Sequence, residues 1–221
     1  MTQPDVDLTP VAQDYLKVIW SAGEWSDAPV TTTLLARRLG VSASTVSETV
    51  RRLTDQGLVE HEPYGAVALT DVGRASAVAM VRRHRLIETF LVERLGYSWD
   101  EVHDEAEVLE HAVSGLMVER MDDALGRPYR DPHGDPIPSA DGAVRAPSAR
   151  RLWDVAPGHW RVVRISDEDP SLLRSFAGLG LVLDAGVIVR ARAVAAVVVE
   201  VGGRTIELDE RSCSAVWLVA G

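Results

Sequence analysis

The residues of this 221-residue chain whose types and spacing could do chemistry gather in its middle third. His103, Glu107, Glu110 and His111 are spaced i, i+4, i+7, i+8, so one helix projects all four from one face. His84 and Glu88 form a second i, i+4 pair on the segment before. Two antiparallel helices bring such faces together, and carboxylates converging with imidazoles, without thiolates, are a ligand set for a divalent metal ion. A solvated charged face is the plain alternative, and a lone i, i+4 pair would leave it ahead. Two pairs on consecutive helices, holding with His111 three of the six histidines, shift the balance to metal. A catalytic zinc site is disfavoured. An HExxH motif is absent, and the inverted H-x-x-E-H form needs His where Glu107 stands. With no plausible nucleophile either, the chain reads as a protein that is not an enzyme.

The elements that must position these residues follow from hydrophobic periodicity and stop signals. Thr9 and Pro10 open a helix carrying Tyr15, Leu16, Ile19 and Trp20. Thr31 caps a second helix that ends at Leu39 with Gly40 as its stop, and a third spans about 43–56 before Gly57. Residues 58–62 and 66–70 alternate as two strands around a Pro63-Tyr64-Gly65 turn. Residues 34–53 have the layout of a helix-turn-helix. Ala36 is small where two helices approach, Gly40 makes the turn, and Val46, Val50 and Leu53 face a core. Ser42, Ser44, Thr45, Ser47 and Glu48 crowd the outer start of the second helix, where a recognition helix meets base edges and phosphates, and Arg51 and Arg52 add positive charge. The hairpin is then the wing. Two helices and a hairpin also form a common packing unit with no ligand, but the ordered combination of all these features favours DNA.

Long helices follow over about 71–95, from about 99 to 109 and beyond, and to about 125, with Gly96, Gly126 and Pro128 as stops. Residues 127–147 are rich in Pro, Gly, Asp and Ser and read as a linker. Runs at 160–165, 187–201, 205–208 and 215–219 are β-branched and turn-bounded, with Gly202-Gly203 as a hairpin turn and a helical segment near 172–179. The expected fold is mainly α with β: a winged helix-turn-helix over 1–74, a helical unit with linker over 75–147, and a small β-barrel of about five strands over 148–221.

Composition bounds this reading. A single cysteine, Cys213, excludes an intramolecular disulfide and a thiolate zinc site. No apolar run reaches membrane-spanning length, and the polar, acidic start is unlike a signal peptide, so a cytoplasmic protein with no membrane partner is expected. The net charge of −10, from 23 Lys+Arg against 33 Asp+Glu, argues at first sight against nucleic acid.

Taken together, the winged helix of 31–70, the stretch Arg83-His84-Arg85-Leu86-Ile87-Glu88, the stretch from Val102-His103 to Glu110-His111, and Gly134-Asp135-Pro136-Ile137-Pro138 resemble the diphtheria-toxin-repressor (DtxR) family of metal-dependent transcriptional regulators, and within it the manganese branch. The resemblance covers nearly the whole chain, because longer family members end in an SH3-like (FeoA-type) domain. It implies a homodimer on palindromic double-stranded operator DNA, dimerising through the helical unit and controlling metal homeostasis, including manganese uptake. It implies a primary metal site of Asp14, Glu107, Glu110 and His111. An ancillary site would use His84, Glu88 and His103, completed from the C-terminal domain by Asp167, Glu168 or Asp169. The iron-responsive branch places Met and Cys where this chain has Asp14 and Glu107. Soft sulfur ligands favour Fe²⁺, Co²⁺ and Ni²⁺, whereas hard carboxylates suit Mn²⁺. Mn²⁺ is therefore the implied cofactor and Fe²⁺ the alternative, with Co²⁺, Zn²⁺ or Cd²⁺ substituting in vitro. Lys17 departs from the short manganese regulators, which carry Glu there to support a paired ion, so two separate sites are expected instead. Part of the acidic surplus, at Asp14, Glu88, Glu107 and Glu110, then reads as a ligand set and no longer opposes DNA binding. A sensor of an organic ligand and a metal-dependent hydrolase are the readings from other classes.

Overall fold

The computed structural model describes residues 8–62 and 65–221. Pro63 and Tyr64 of the expected hairpin turn, and the start of the chain through residue 7, lie outside the described residues. Chain contacts resolve two compact units, residues 1–84 with 138–143, and residues 85–137 with 144–221.

The first unit holds α1 (Pro10–Glu24), α2 (Thr32–Leu39), α3 (Ala43–Asp55), β1 (Val59–His61), β2 (Val67–Leu69) and α4 (Asp71–Phe90) as far as His84. Local chemistry sets the boundaries. Thr9, Thr31 and Ser42 each accept a hydrogen bond from a backbone N–H in the first turn of the helix they cap. Gly40 ends α2 at φ 65°, the left-handed conformation that lets the chain turn sharply into α3. Leu16, Leu35, Val46, Val50 and Leu53 are wholly buried, so the core seen in the pattern of the helix-turn-helix is the core that forms. β1 and β2 pair antiparallel with Val59 opposite Leu69, as expected of a wing.

In the second unit α4 continues to Phe90 and runs into a π-helical turn, Leu91–Leu95, closed by Gly96 at φ 77°. α5 (Val102–Leu109) and α6 (Gly115–Leu125) follow, around a core of Ile87, Leu91, Val102, Ala106 and Met121. The barrel comprises β3 (Arg150–Arg151), β4 (Gly158–Ile165), α7 (Pro170–Leu179), β5 (Gly186–Arg192), β6 (Ala196–Val201), β7 (Arg204–Asp209), α8 (Glu210–Ser214) and β8 (Val216–Ala220). Its six-stranded sheet has the order β3-β8-β4-β5-β6-β7, all pairs antiparallel. Inward residues such as Val162, Ile165, Val189, Val199 and Leu218 meet Leu173 and Phe176 of α7 in one core.

Three expectations change. The apolar run 187–201 is two strands, because the chain turns at Ala193–Ala195 between β5 and β6. The barrel has six strands where about five were expected, the extra one being the two-residue β3. The stretch 127–147 is a solvated linker only in its second half. Residues 131–138 are buried apart from the half-buried Pro132, and 139–148 are largely exposed.

Candidate metal centre and nucleic-acid face

Within the second unit four elements place a carboxylate or imidazole in one cluster. Glu88 is on the buried side of α4, with only 1% of its surface exposed. α5 supplies His103, whose Nδ1 lies 3.2 Å from Glu88 Oε1 and 3.2 Å from Asp167 Oδ2, just beyond the end of β4. His103 Nε2 faces Glu107 Oε1 at 3.6 Å, one helical turn on. The fourth element is a turn in the segment read as linker. It carries His133, fully buried, with Nδ1 4.0 Å from Glu88 Oε2. Donor atoms of Glu88, His133 and Asp167 all lie within 4.8 Å of one another.

The expected single helical face holding His103, Glu107, Glu110 and His111 needs one correction. α5 ends at Leu109, and Glu110 and His111 stand in the turn that follows, where Ala112 and Val113 donate back to the Leu109 carbonyl. Glu110 is completely buried, with Oε1 3.6 Å from His111 Nε2. His84 is buried on α4 one turn before Glu88, and Asp14 is half-buried on α1 of the first unit. Of the acidic run, Asp167 reaches the cluster and Asp169 does not. Asp169 caps α7, accepting from Ser171 N at 2.9 Å and pairing with Arg211, so its carboxylate serves the helix start. Glu168 donates its backbone N–H to Ser166 Oγ.

His133 was not singled out from sequence, nor was Asp131. Both lie in a Pro/Gly-rich stretch without periodicity, and the only available signal was an Asp-x-His-x-Asp pattern leading into Gly134-Asp135-Pro136-Ile137-Pro138. Two features suit His133 to a cation. Its Nε2 is 2.6 Å from the Trp99 carbonyl, which only accepts, so Nε2 carries the proton. Nδ1, wholly buried, makes no hydrogen bond and points at the carboxylates. A carbonyl fixing the far nitrogen of an imidazole is the usual support of a metal-ligating histidine. The Trp99 ring stacks on His133 at 6.1 Å and 18°.

The electrostatics agree. Burial works against an imidazolium at His103, but Asp167 and Glu88 outweigh it and hold its pKa up at about 11. Burial likewise opposes ionisation of Asp167, yet the His103 hydrogen bond holds that carboxyl well below the usual range. At His133 burial is again overcome, here by the charge of Glu88, Asp167 and Asp131, and the pKa rises. Burial, with Asp135 and Glu88 near, pushes Asp131 up to about 7. Protons thus balance an oxygen- and nitrogen-rich cluster whose donors suit a hard divalent cation.

In the first unit Ser42, Ser44, Thr45, Ser47, Glu48, Arg51 and Arg52 are all exposed along the outer side of α3, and Arg37 and Arg38 end α2. Ser42 Oγ lies 2.8 Å from both Ser44 Oγ and Thr45 Oγ1, forming a knot of hydroxyls at the helix start. Short side chains there let a phosphate backbone approach the α3 N-terminus closely.

A winged helix-turn-helix, a carboxylate–imidazole centre and a small barrel in one chain define a metal-responsive DNA-binding protein by class. Three family models match in series. They are the iron dependent repressor N-terminal DNA binding domain over 7–67, the iron dependent repressor metal binding and dimerisation domain over 70–139, and the FeoA domain over 151–220. The diphtheria toxin repressor of Corynebacterium glutamicum is 33% identical over 186 residues, covering 82% of this chain and 81% of that one. The iron-dependent repressor IdeR of Mycobacterium leprae is 39% identical over 132 residues, 60% of this chain and 57% of the relative. The chain therefore aligns with little more than half of that second relative. A solved manganese-dependent transcriptional repressor in complex with manganese is 56% identical, with a TM-score of 0.92, covering 95% of this chain and 100% of that one. The chain belongs to the DtxR family of metal-dependent transcriptional repressors. No helix among the described residues is long and apolar enough to cross a membrane.

Proposed function

We propose that this chain is a manganese-dependent repressor that binds a palindromic operator as a homodimer and controls metal-ion homeostasis through manganese uptake genes. The observation that carries the choice of metal is the donor set. Every candidate ligand is a carboxylate or an imidazole, and the one thiol, Cys213, is buried in the barrel core. The likeness to a manganese-dependent repressor supports the same choice, while the iron-dependent relatives keep an iron-dependent repressor as the alternative.

In this reading Asp14, Glu107, Glu110 and His111 form the primary site. His84, Glu88 and His103 form the ancillary one, joined by Asp167 and His133. A bound cation supplies charge that neutralises these carboxylates and a fixed point to which their elements are tied. Asp14 belongs to the DNA-binding unit over 1–74, and Glu107, Glu110 and His111 to the dimerisation unit over 75–147. Shared ligation therefore limits the angles that α3 explores. A dimer must set its recognition helices about 34 Å apart to enter successive major grooves, and ordering them beforehand removes an entropic cost from binding. Leu95, Val108, Leu116 and Met117, apolar and exposed on the helical part, support pairing of two copies there.

The deciding experiment is operator binding at buffered free Mn²⁺, Fe²⁺, Co²⁺ and Zn²⁺. Mn²⁺ activating at the lowest concentration relative to its cellular supply supports the proposal, and Fe²⁺ doing so selects the alternative.

A further inference from the structure

The turn that carries His133 is held by an ionic chain from the barrel. Arg164, on β4, sits where the strand slips register between Val162 and Arg164 against β8, and it pairs opposite Trp217. Such a bulge re-aims a side chain. Here it turns the guanidinium to lie 4.0 Å from the Trp217 ring centroid and its Nε to donate to Asp135 Oδ1 at 2.7 Å, both residues buried. Arg85 of α4 approaches the same oxygen at 3.5 Å, stands 3.7 Å from Asp131 Oδ2, and donates to the Pro136 carbonyl at 2.6 Å. Asp131 closes the turn, its Oδ1 accepting from His133 N at 2.8 Å and Asp135 N at 2.9 Å. The backbone is fastened to the same strand, because Ile165 N donates to the His133 carbonyl at 2.9 Å. Gly134, at φ 94°, lies so close that a Cβ would stand 2.1 Å from the Val163 carbonyl oxygen. Two residues past Ile165 comes Asp167, itself in the cluster.

Resting on the reading of Glu88, His103, His133 and Asp167 as one cation centre, we infer that Arg164 is a positioning residue for that centre, acting through Asp135 on the turn that aims His133 Nδ1 at the carboxylates. The bulge at Val163 thereby makes docking of the barrel strand a condition of cation binding. Arg164 also acts by charge on Asp167 itself, an effect that Asp135→Asn leaves in place. Its guanidinium is clamped between an indole face and a carboxylate, so charge and planar shape both matter.

The test is Mn²⁺ binding to the full chain, with stoichiometry and both affinities measured by competition against a chelator, in Arg164→Met, Arg164→Lys, Asp135→Asn and His133→Ala. Support for second ligands typically carries 10- to 100-fold in affinity. Arg164→Met and Asp135→Asn should therefore weaken one of two Mn²⁺ ions by roughly that factor and leave the other unchanged. Arg164→Lys should lose less, rescuing in part. Metal-free NMR gives a readout that general loosening does not mimic: the His133 Nε2 proton, held by the Trp99 carbonyl, should exchange slowly in the parent and faster in Arg164→Met, with the amide protons of the barrel core unchanged. If Arg164→Met fails to fold, Asp135→Asn and Arg164→Lys decide the matter. Undiminished affinity for both ions in these variants, while His133→Ala loses one, overturns the positioning role. Two-ion binding that survives His133→Ala overturns the reading of the centre instead.

Discussion

In the proposed primary site Asp14 and Glu107 would be oxygen donors, and the proposed preference for Mn²⁺ turns on these two side chains. Replacing both, Asp14→Met with Glu107→Cys, should move the ion that activates operator binding from Mn²⁺ toward Fe²⁺, measured at buffered free metal. An unchanged ranking contradicts the hard-ligand argument. The one native sulfur nucleophile behaves oppositely. Burial, with the Asp209 charge adding, pushes the Cys213 thiol from about 9 up to about 12. The folded protein thus keeps a proton that the unfolded chain loses above about pH 9, so this thiol lowers stability as pH rises from about 9 toward 12. Thiol reagents at pH 8 should label Cys213 only as fast as the protein opens. Labelling at the rate of a free thiol would contradict its burial. Legibility at this scale followed periodicity. His84, Glu88, His103 and Glu107 announced themselves by helical spacing, whereas His133 and Asp131 sit in an irregular turn whose geometry comes from long-range bonds to Arg85 and β4. No local spacing rule reports such bonds.

Elements bound by punctuation were readable, and elements defined by packing were not. Gly40, Gly96, Gly126 and Gly180 all close helices in the left-handed region, and each helix end was placed within a few residues. The two halves of 187–201 could not be separated, because Ala193, Val194 and Ala195 carry no turn signature. The buried half of the presumed linker was hidden for the reason given for His133. Gly73 shows how tightly one junction is built. A Cβ there would stand 1.9 Å from the Leu58 carbonyl oxygen, while Gly73 N donates to Thr70 Oγ1 and that hydroxyl donates to the Gly57 carbonyl at 2.7 Å. Gly73→Ala should therefore destabilise the winged unit by roughly 1–3 kcal/mol, read as a lower urea midpoint with unchanged slope. A midpoint within error of the parent would show that the start of α4 shifts freely against the wing.

At the scale of the molecule, the net charge of −10 looked like an argument against DNA and became an argument about when DNA is bound. The acidic groups are not spread evenly. Several are the ligands proposed for the cation, while the outer side of α3 presents hydroxyls and arginines. In the proposed reading, a bound cation would remove negative charge and order the DNA-binding units in the same event, so the metal-free protein should be the weaker binder on both counts. Protons compete for the same imidazoles, so metal uptake should release them. The most direct measurement of this account is operator affinity across a titration of buffered free Mn²⁺, reversed by chelator at constant ionic strength. The account predicts that affinity rises at least tenfold as the two sites fill and returns to its metal-free value on chelation. Equal affinity with and without metal would contradict it.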